Sequence, residues 1–244
     1  MTSNTKVSGH AIFQKWDMYS IVVRENYMRH AEMTRCVSAM MGTINGPFHV
    51  IDIGCGDAWL AATVLKSHPV QRYLGIDLSA GALDDARTRL PIGSGTTDAQ
   101  FDFVCNDVRS ALPAVSSDSA NVVLASYSLH HVSQSEKRRL LGEIRRILVP
   151  GGMFVWTDIV RQPGHSRAET LHLIEQDMRQ NWTALTVDDI DRAVAHINDA
   201  DFPEDADWMT STAHECGFAS SLPLFRDSLY GCWAFMASEN RQMT

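Results

Sequence analysis

The chain has 244 residues, 45% of them hydrophobic and 20% charged, which suits one globular unit with a sizeable core and excludes a disordered or low-complexity polypeptide. A formal net charge of −8 argues against affinity drawn from neutralising phosphates, so neither nucleic acid nor a membrane is expected as a partner. No apolar run reaches the roughly 18 residues that span a bilayer, the first ten residues lack the apolar centre of a secretion signal, and the five cysteines are scattered and odd in number, so a cytoplasmic protein with reduced thiols is expected.

In chain order, residues 11–42 carry Trp16, Tyr19, Val23, Tyr27 and His30 at helical spacing, which predicts a helix pair ending near Gly42. From 48 to 160 short β-rich runs alternate with helical patterns, the texture of βαβ units and a mostly parallel sheet. Strands are expected at 48–53, 71–76, 101–105, 121–126 and 153–159. Ser79 is placed to cap a helix that turns Leu83, Ala86 and Leu90 inward. Residues 135–148 put Leu140, Leu141, Ile144, Ile147 and Leu148 on one helix face before Pro150-Gly151-Gly152 stops it. Beyond 160 come two more helical stripes, one of Leu171, Ile174, Met178 and Trp182, the other of Val187, Ile190, Val194 and Ile197, and then strands at 220–225 and 229–237 about a turn at Asp227-Ser228. Residues 161–210 hold eleven acids and four bases, so most of the negative charge sits there, read mainly as a solvated outer face.

The most informative string is His49-Val50-Ile51-Asp52-Ile53-Gly54-Cys55-Gly56-Asp57-Ala58-Trp59-Leu60: a buried strand, a glycine-spaced turn, then a helix. Glycines let backbone approach a ligand closely there, while the N–H groups of the opening helix point at it. Asp77 ends the next strand where a ribose-binding carboxylate belongs in such folds. A dinucleotide fingerprint would need glycine at 59, where Trp59 stands. Asp52 and Asp57 would repel a pyrophosphate but suit the ammonium and sulfonium of S-adenosylmethionine.

Five segments in order then carry a resemblance. Val50 to Gly56, Gly75-Ile76-Asp77-Leu78-Ser79, Phe103-Val104-Cys105-Asn106-Asp107-Val108, Asn121 to Val132 and Leu148-Val149-Pro150-Gly151-Gly152-Met153 resemble the motifs of the class I S-adenosylmethionine-dependent methyltransferases. The resemblance covers roughly residues 48–160 and is nearest to the small-molecule branch similar to the ubiquinone/menaquinone biosynthesis methyltransferases, with Ala58 in place of the third glycine of a commoner G-x-G-x-G. It implies an α/β, Rossmann-like fold: a mostly parallel seven-stranded sheet with an antiparallel C-terminal strand and helices on both faces. It also divides the chain into an N-terminal helical lid (1–46), an S-adenosylmethionine-binding core (47–160), a helical insertion roofing the substrate (161–217) and a C-terminal strand pair (218–244).

By resemblance, Asp52, Gly54 and Gly56, with Cys55 in the same turn, hold the methionine part of the cofactor. Asp77 bridges the ribose hydroxyls and Leu78 lies against the adenine, with Asn106, Asp107 and Val108 at its edge. Ser126 stands near the amino-acid end, and Tyr19 and Tyr27 are lid hydroxyls within reach of the cofactor carboxylate. The implied reaction is in-line methyl transfer to a small-molecule acceptor, which needs a general base only if the nucleophile must lose a proton. His130 and His131 after the fourth strand are the candidates for that base, and Asp158 at the end of the fifth could orient an acceptor amine or hydroxyl. No H-E-x-x-H pattern is present, so no metal is expected. Two other readings stay open: a nicotinamide-dependent oxidoreductase, which Trp59 opposes, and a non-catalytic protein that binds S-adenosylmethionine.

Overall fold

The computed structural model describes residues 18–90 and 99–239. Trp16 lies outside them. A helical stretch at 18–24 leads into α1 (His30–Met41), so the expected helix pair is present, and α1 ends one residue before Gly42.

The core alternates strand and helix: β1 (Phe48–Ile53), α2 (Trp59–Leu65), β2 (Val70–Asp77), α3 (Ala80–Arg89), β3 (Gln100–Cys105), the short α4 (Val108–Ala111), β4 (Ala120–Ser126), α5 (Gln134–Ile147) and β5 (Leu148–Arg161). Three helices follow, α6 (Arg167–Asn181), α7 (Val187–Ala200) and α8 (Ala206–Glu215), with the two-residue β6 (Glu204–Asp205) before the last. The antiparallel pair β7 (Phe218–Arg226) and β8 (Tyr230–Ala237) closes the sequence. The expected strands are all found, within a few residues. β5 is the exception in length, because it begins at Leu148 and runs through the Pro150-Gly151-Gly152 turn.

The sheet order is β3-β2-β1-β4-β5-β8-β7, with β6 pairing β5 off that path. Every neighbour from β3 to β5 is parallel, and β8 alone runs against the rest, wedged between β5 and β7. This is the expected seven-strand path. The order reverses between β1 and β4, and in open α/β sheets a ligand crevice lies outside the carboxyl ends of the strands at such a switch point.

Strand periodicity sorts the core into two layers. Val122 and Leu124 of β4 face one cluster while Val123 and Ala125 face the other. The first layer is roofed by α1, α2, α3, α6 and α7; the second by α4, α5 and α8. Leu171, Ile174, Met178 and Trp182 are all buried, as their spacing predicts, each such side chain stabilising the fold by roughly 1.5–3 kcal/mol. Val187 departs from its stripe. It is 72% exposed because it is the first residue of α7, ahead of the turn that packs Ile190 and Ala193.

Helix starts follow local chemistry. Ser79 caps α3 by accepting from the Ala82 N–H, and Ser133, Ser166 and Thr186 each begin α5, α6 and α7 with a reciprocal capping box to Glu136, Glu169 and Asp189. No helix of the described residues is long and apolar enough to cross a membrane.

Candidate functional site

The crevice begins at the turn between β1 and α2. The N–H groups of Gly54 and Cys55 both donate to the Ile76 carbonyl, at 2.8 and 3.1 Å, which ties the turn to the end of β2. Gly54 has φ +66° and Gly56 φ +55°, the left-handed region that glycine adopts without penalty. A side chain at 54 is excluded twice over, since its Cβ would stand 2.4 Å from the Ser128 Cβ. Ala58 takes the same left-handed conformation, φ +56°, at the N-cap of α2. The missing third glycine therefore changes the residue and leaves the turn's shape intact, with the helix starting at Trp59.

Asp77 closes the same turn. Its carboxylate accepts from the Gly56 N–H at 2.9 Å and from the Ser79 N–H at 2.8 Å, which fixes both oxygens beside the glycine turn. Leu78, next to it, is 72% exposed, and Val104 on β3 is also exposed, so two apolar side chains line open space at this rim. Cys105 and Asn106 are exposed beside them. Asp107 caps α4 and is clamped by Arg109, whose Nε lies 2.9 and 3.0 Å from its two oxygens; that pairing holds the carboxyl below the usual range. Arg109 also reaches Glu136. Asp107 thus keeps an oxygen edge at the rim but shares it with a guanidinium, and Val108 is half-buried in the same helix start.

Beneath the turn Asp52 is buried and accepts one hydrogen bond, from the Tyr73 hydroxyl at 2.9 Å. Burial pushes its carboxyl up to about 7, against the lowering effect of Tyr73 and with a further rise from Asp77. Among the described residues no lysine, arginine or histidine forms an ion pair with it. Asp57, by contrast, meets Arg89 at 2.8 Å. Cys55 is half-buried beside Asp52 and Asp77, and burial pushes its thiol up, so no thiolate is available there.

The N-terminal segment covers this corner with rings. The Tyr19 hydroxyl lies 3.4 Å from His30 Nε2, and burial together with Asp57 pushes that phenol up. Around His30 stand Tyr19, Trp59 and Tyr127, at ring separations of 5.7, 5.9 and 5.0 Å. Burial pushes the His30 imidazole down to about 4, which keeps it neutral at pH 7. Tyr27 points elsewhere: its ring stacks on Trp182 at 5.1 Å, and its hydroxyl accepts from the Ala184 N–H at 2.8 Å. It is a joint between the N-terminal segment and the loop after α6.

A second polar cluster sits at the ends of β4 and β5. Ser126, last in β4, accepts from the Thr157 hydroxyl at 2.8 Å. His130, on the one-turn helix Leu129–His131, is buried with Nδ1 2.5 Å from Asp158 Oδ1 and its own N–H 3.2 Å from Asp158 Oδ2. Asp158 also accepts from Trp156 Nε1 and the Ile159 N–H. Burial opposes charge on both partners, yet their mutual attraction wins, so the imidazole is raised and the carboxyl lowered. His131 lies 3.1 Å from Asp201, and the buried Lys137 ammonium donates to the Val132 and Phe202 carbonyls.

The structure therefore gathers Asp52, Gly54, Cys55, Gly56 and Asp77 at one turn, with Leu78 and Asn106 to Val108 along its rim and Tyr19 above it. His130, His131 and Asp158 form their own cluster, and Tyr27 joins neither group. Ser128, Lys137 and Asp201 also stand at these clusters, with no role assigned to them from sequence. Ser128 carried a usable signal, two residues past a strand that ends at the crevice; Asp201 carried none, since the fold alone brings it 70 positions back to His131.

Sheet order, switch-point crevice and the glycine turn locked to Asp77 give the chain the Rossmann-like α/β core that solved S-adenosylmethionine-dependent methyltransferases share. Residues 50–152 match the family described as methyltransferase domain. The chain is 32% identical over 146 residues to a trans-aconitate 2-methyltransferase of Methylobacterium nodulans, covering 57% of this chain and 51% of that protein. It is 28% identical over 123 residues to a demethylmenaquinone methyltransferase of Leptospira interrogans, covering 50% and 47%. The chain spans about half the length of the curated relatives it matches. Among solved structures, an O-methyltransferase family protein of Burkholderia thailandensis shares the fold with TM-score 0.63 at 18% identity, over 90% of this chain and 58% of that one. A methyltransferase of Methanosarcina mazei does so with TM-score 0.58 at 16% identity, over 83% and 98%.

The residues present fit that cofactor. The glycine turn packs tightly against Ser128, an exposed leucine stands at the rim where a flat ring can lie, and Asp52 is a buried carboxylate without a cationic partner among the described residues.

Proposed function

We propose that the chain transfers a methyl group from S-adenosylmethionine to a small-molecule acceptor. The observation that carries this reading is the Gly56 N–H to Asp77 contact, which fixes a carboxylate against a glycine turn at the switch-point crevice. In this reading Asp77 holds the ribose hydroxyls, Leu78 and Val108 flank the adenine, and Asn106 and Asp107 offer polar atoms to its edge. Asp52, Gly54, Cys55, Gly56 and Ser126 surround the methionine end, with Tyr19 closing over it.

When bound, the cofactor supplies a methyl group already activated by its sulfonium. The chain's own task is then to position the acceptor, and holding reactants in line can supply roughly 7–11 kcal/mol at the extreme. His130 Nδ1 faces Asp158, which orients the ring, and with no cation bound there its Nε2 can take or give a proton. The rings of Tyr19, His30, Trp59 and Tyr127 exclude water from the cofactor corner. Residues 18–41 and the 161–217 insertion, fastened to one another through Tyr27 and Trp182, form the roof that selects the acceptor. An acidic roof makes an anionic polymer such as nucleic acid a poor acceptor and leaves a small molecule as the better one.

The test is transfer of labelled methyl from S-adenosylmethionine into a metabolite extract, with Asp77→Ala as control. Label should appear in one low-mass product with the native chain and be absent with the variant. Tight binding of S-adenosylhomocysteine without any transfer would overturn the enzymatic reading.

A further inference from the structure

We propose that His130, His131 and Asp201 form a binding site for a divalent first-row cation, of which zinc fits best. One donor atom from each of the three residues lies within 4.8 Å of the other two. His131 Nδ1 stands 3.1 Å from Asp201 Oδ1, and His130 Nε2 stands 3.8 Å from Asp201 Oδ2. Tetrahedral zinc with bonds of about 2.0–2.2 Å sets its donors about 3.3–3.5 Å apart. The three side chains are therefore at coordination spacing to within small rotations.

Two further observations point to a ligand. Asp201 is 2% exposed, and its Oδ1 accepts no well-directed hydrogen bond: its neighbour is His131 Nδ1 at 3.1 Å, so a cation between the two would satisfy both. His130 is oriented as a ligand should be: Asp158 takes the Nδ1 proton, so the Nε2 lone pair faces Asp201. Metal-ligating histidines almost always donate the ring's other N–H to a carboxylate, a backbone carbonyl or water, because that partner fixes the tautomer and raises the ring's basicity. Asp158 is itself fixed by Trp156 Nε1 and the Ile159 N–H.

Charge agrees. The carboxylates of Asp158, Asp201 and Glu204 face two fixed cations, Lys137 and Arg161, and Arg161 is taken up by Glu204 at 3.0 Å. Lys137 spends its protons on two backbone carbonyls. Among the described residues the ion-pair partners of Asp201 are the two imidazoles, with no lysine or arginine among them. The side chain of His131 is 43% exposed, which gives the ion an approach and leaves a fourth position open to water. Two imidazoles, a carboxylate and an open position is a donor set that zinc accepts. No short motif announces it, since the histidines are adjacent on a one-turn helix and the aspartate comes from beyond α7.

The inference stands apart from methyl transfer, because zinc binding is read without turnover. The experiment is titration of the chelator-treated full chain with zinc sulfate by calorimetry, together with the visible spectrum of the cobalt(II) form. One zinc per chain, a higher Tm on zinc addition and a four-coordinate cobalt spectrum are expected. His131→Ala should weaken binding at least 10-fold and shift the cobalt spectrum, Asp201→Asn should do the same, and His214→Ala, at an exposed histidine on α8, should leave both unchanged. Asp201 is buried, so the decision rests on His131→Ala, whose ring is half-exposed and whose loss the fold tolerates. Absence of zinc binding by the native chain, or binding by a folded His131→Ala chain as tight as native, overturns the inference.

Discussion

Gly54 and Ser128 approach so closely that any β-carbon at position 54 would stand 2.4 Å from the serine's own. The contact joins the loop after β1 to the loop after β4 across the switch point, and the Ser128 hydroxyl completes it by donating to the Ile53 carbonyl at 2.8 Å. Gly54→Ala should cost about 1–2 kcal/mol for the left-handed backbone alone and push the two loops apart. Binding of S-adenosylhomocysteine should fall at least 100-fold. Calorimetry on the folded variant checks this, and near-native affinity would contradict it.

Asp52 makes cofactor binding pH-dependent. Its carboxyl is raised to about 7 in the folded chain, so it is largely protonated below that pH, whereas a cationic ligand favours the ionised form. Affinity for S-adenosylmethionine should therefore rise between pH 6 and 8, with a proton released on binding. Calorimetry in two buffers of different ionisation enthalpy measures that proton. For stability the sign is opposite: a raised carboxyl contributes stability that is present below the unfolded value near 3.8 and lost as pH climbs through about 7. Tyr73→Phe removes the hydrogen bond that lowers Asp52 and should move the binding midpoint upward.

The His130 and Asp158 pair should behave as a buried ion pair. Removing one partner of such a pair costs about 3–5 kcal/mol because the other is left uncompensated. Asp158→Asn should lose stability in that range in urea titration with chelator present. His130 is raised, so its share of stability is full below 6.5 and is lost as pH rises through its folded value; Asp158 is lowered, so its share is full above 3.8 and is lost as pH falls through its folded value. Stability of the native chain relative to the variant should thus peak between those limits.

Tyr27 and Trp182 fasten residues 18–41 to the end of α6, the two segments proposed as the roof. Their rings stack at 5.1 Å and 7° between planes, and Trp182 Nε1 is held by Asp177 at 3.1 Å. Trp182→Ala should cost about 3–5 kcal/mol as a large-to-small core change, while Tyr27→Phe, losing only the bond from Ala184, should cost about 1 kcal/mol. Limited proteolysis should open residues 18–41 first in Trp182→Ala, and protection equal to the native chain would remove the roof from the account.

How much of this was readable beforehand follows from which interactions are local. Capping at Ser79 and the inward turn of Leu83 and Ala86 depend on neighbours a few positions away, and each was legible. The glycine turn with Asp77 was legible for the same reason, as two strand ends 21 positions apart in a known order. Tyr27 shared the helical stripe of Tyr19, but the turn after residue 24 swings it toward Trp182, a direction set by tertiary packing that spacing cannot report. Lys137 sits on the apolar face of α5, where a periodicity reading expects a hydrophobe; its partners are carbonyls at 132 and 202, the second supplied only by the fold.

The stacked pair of Tyr27 and Trp182 has a consequence for anyone wishing to change what the chain acts upon. Residues 18–41 and 161–217 are separated by the whole core in the sequence yet share one interface, so as the proposed roof they constitute a single cassette written in two places. Transplanting residues 161–217 alone into another core would bring in an indole with no phenol to rest on, and transplanting the first segment alone would strand the phenol. A chimera that exchanges both together preserves the seam, and should be the smallest exchange that carries acceptor preference with it.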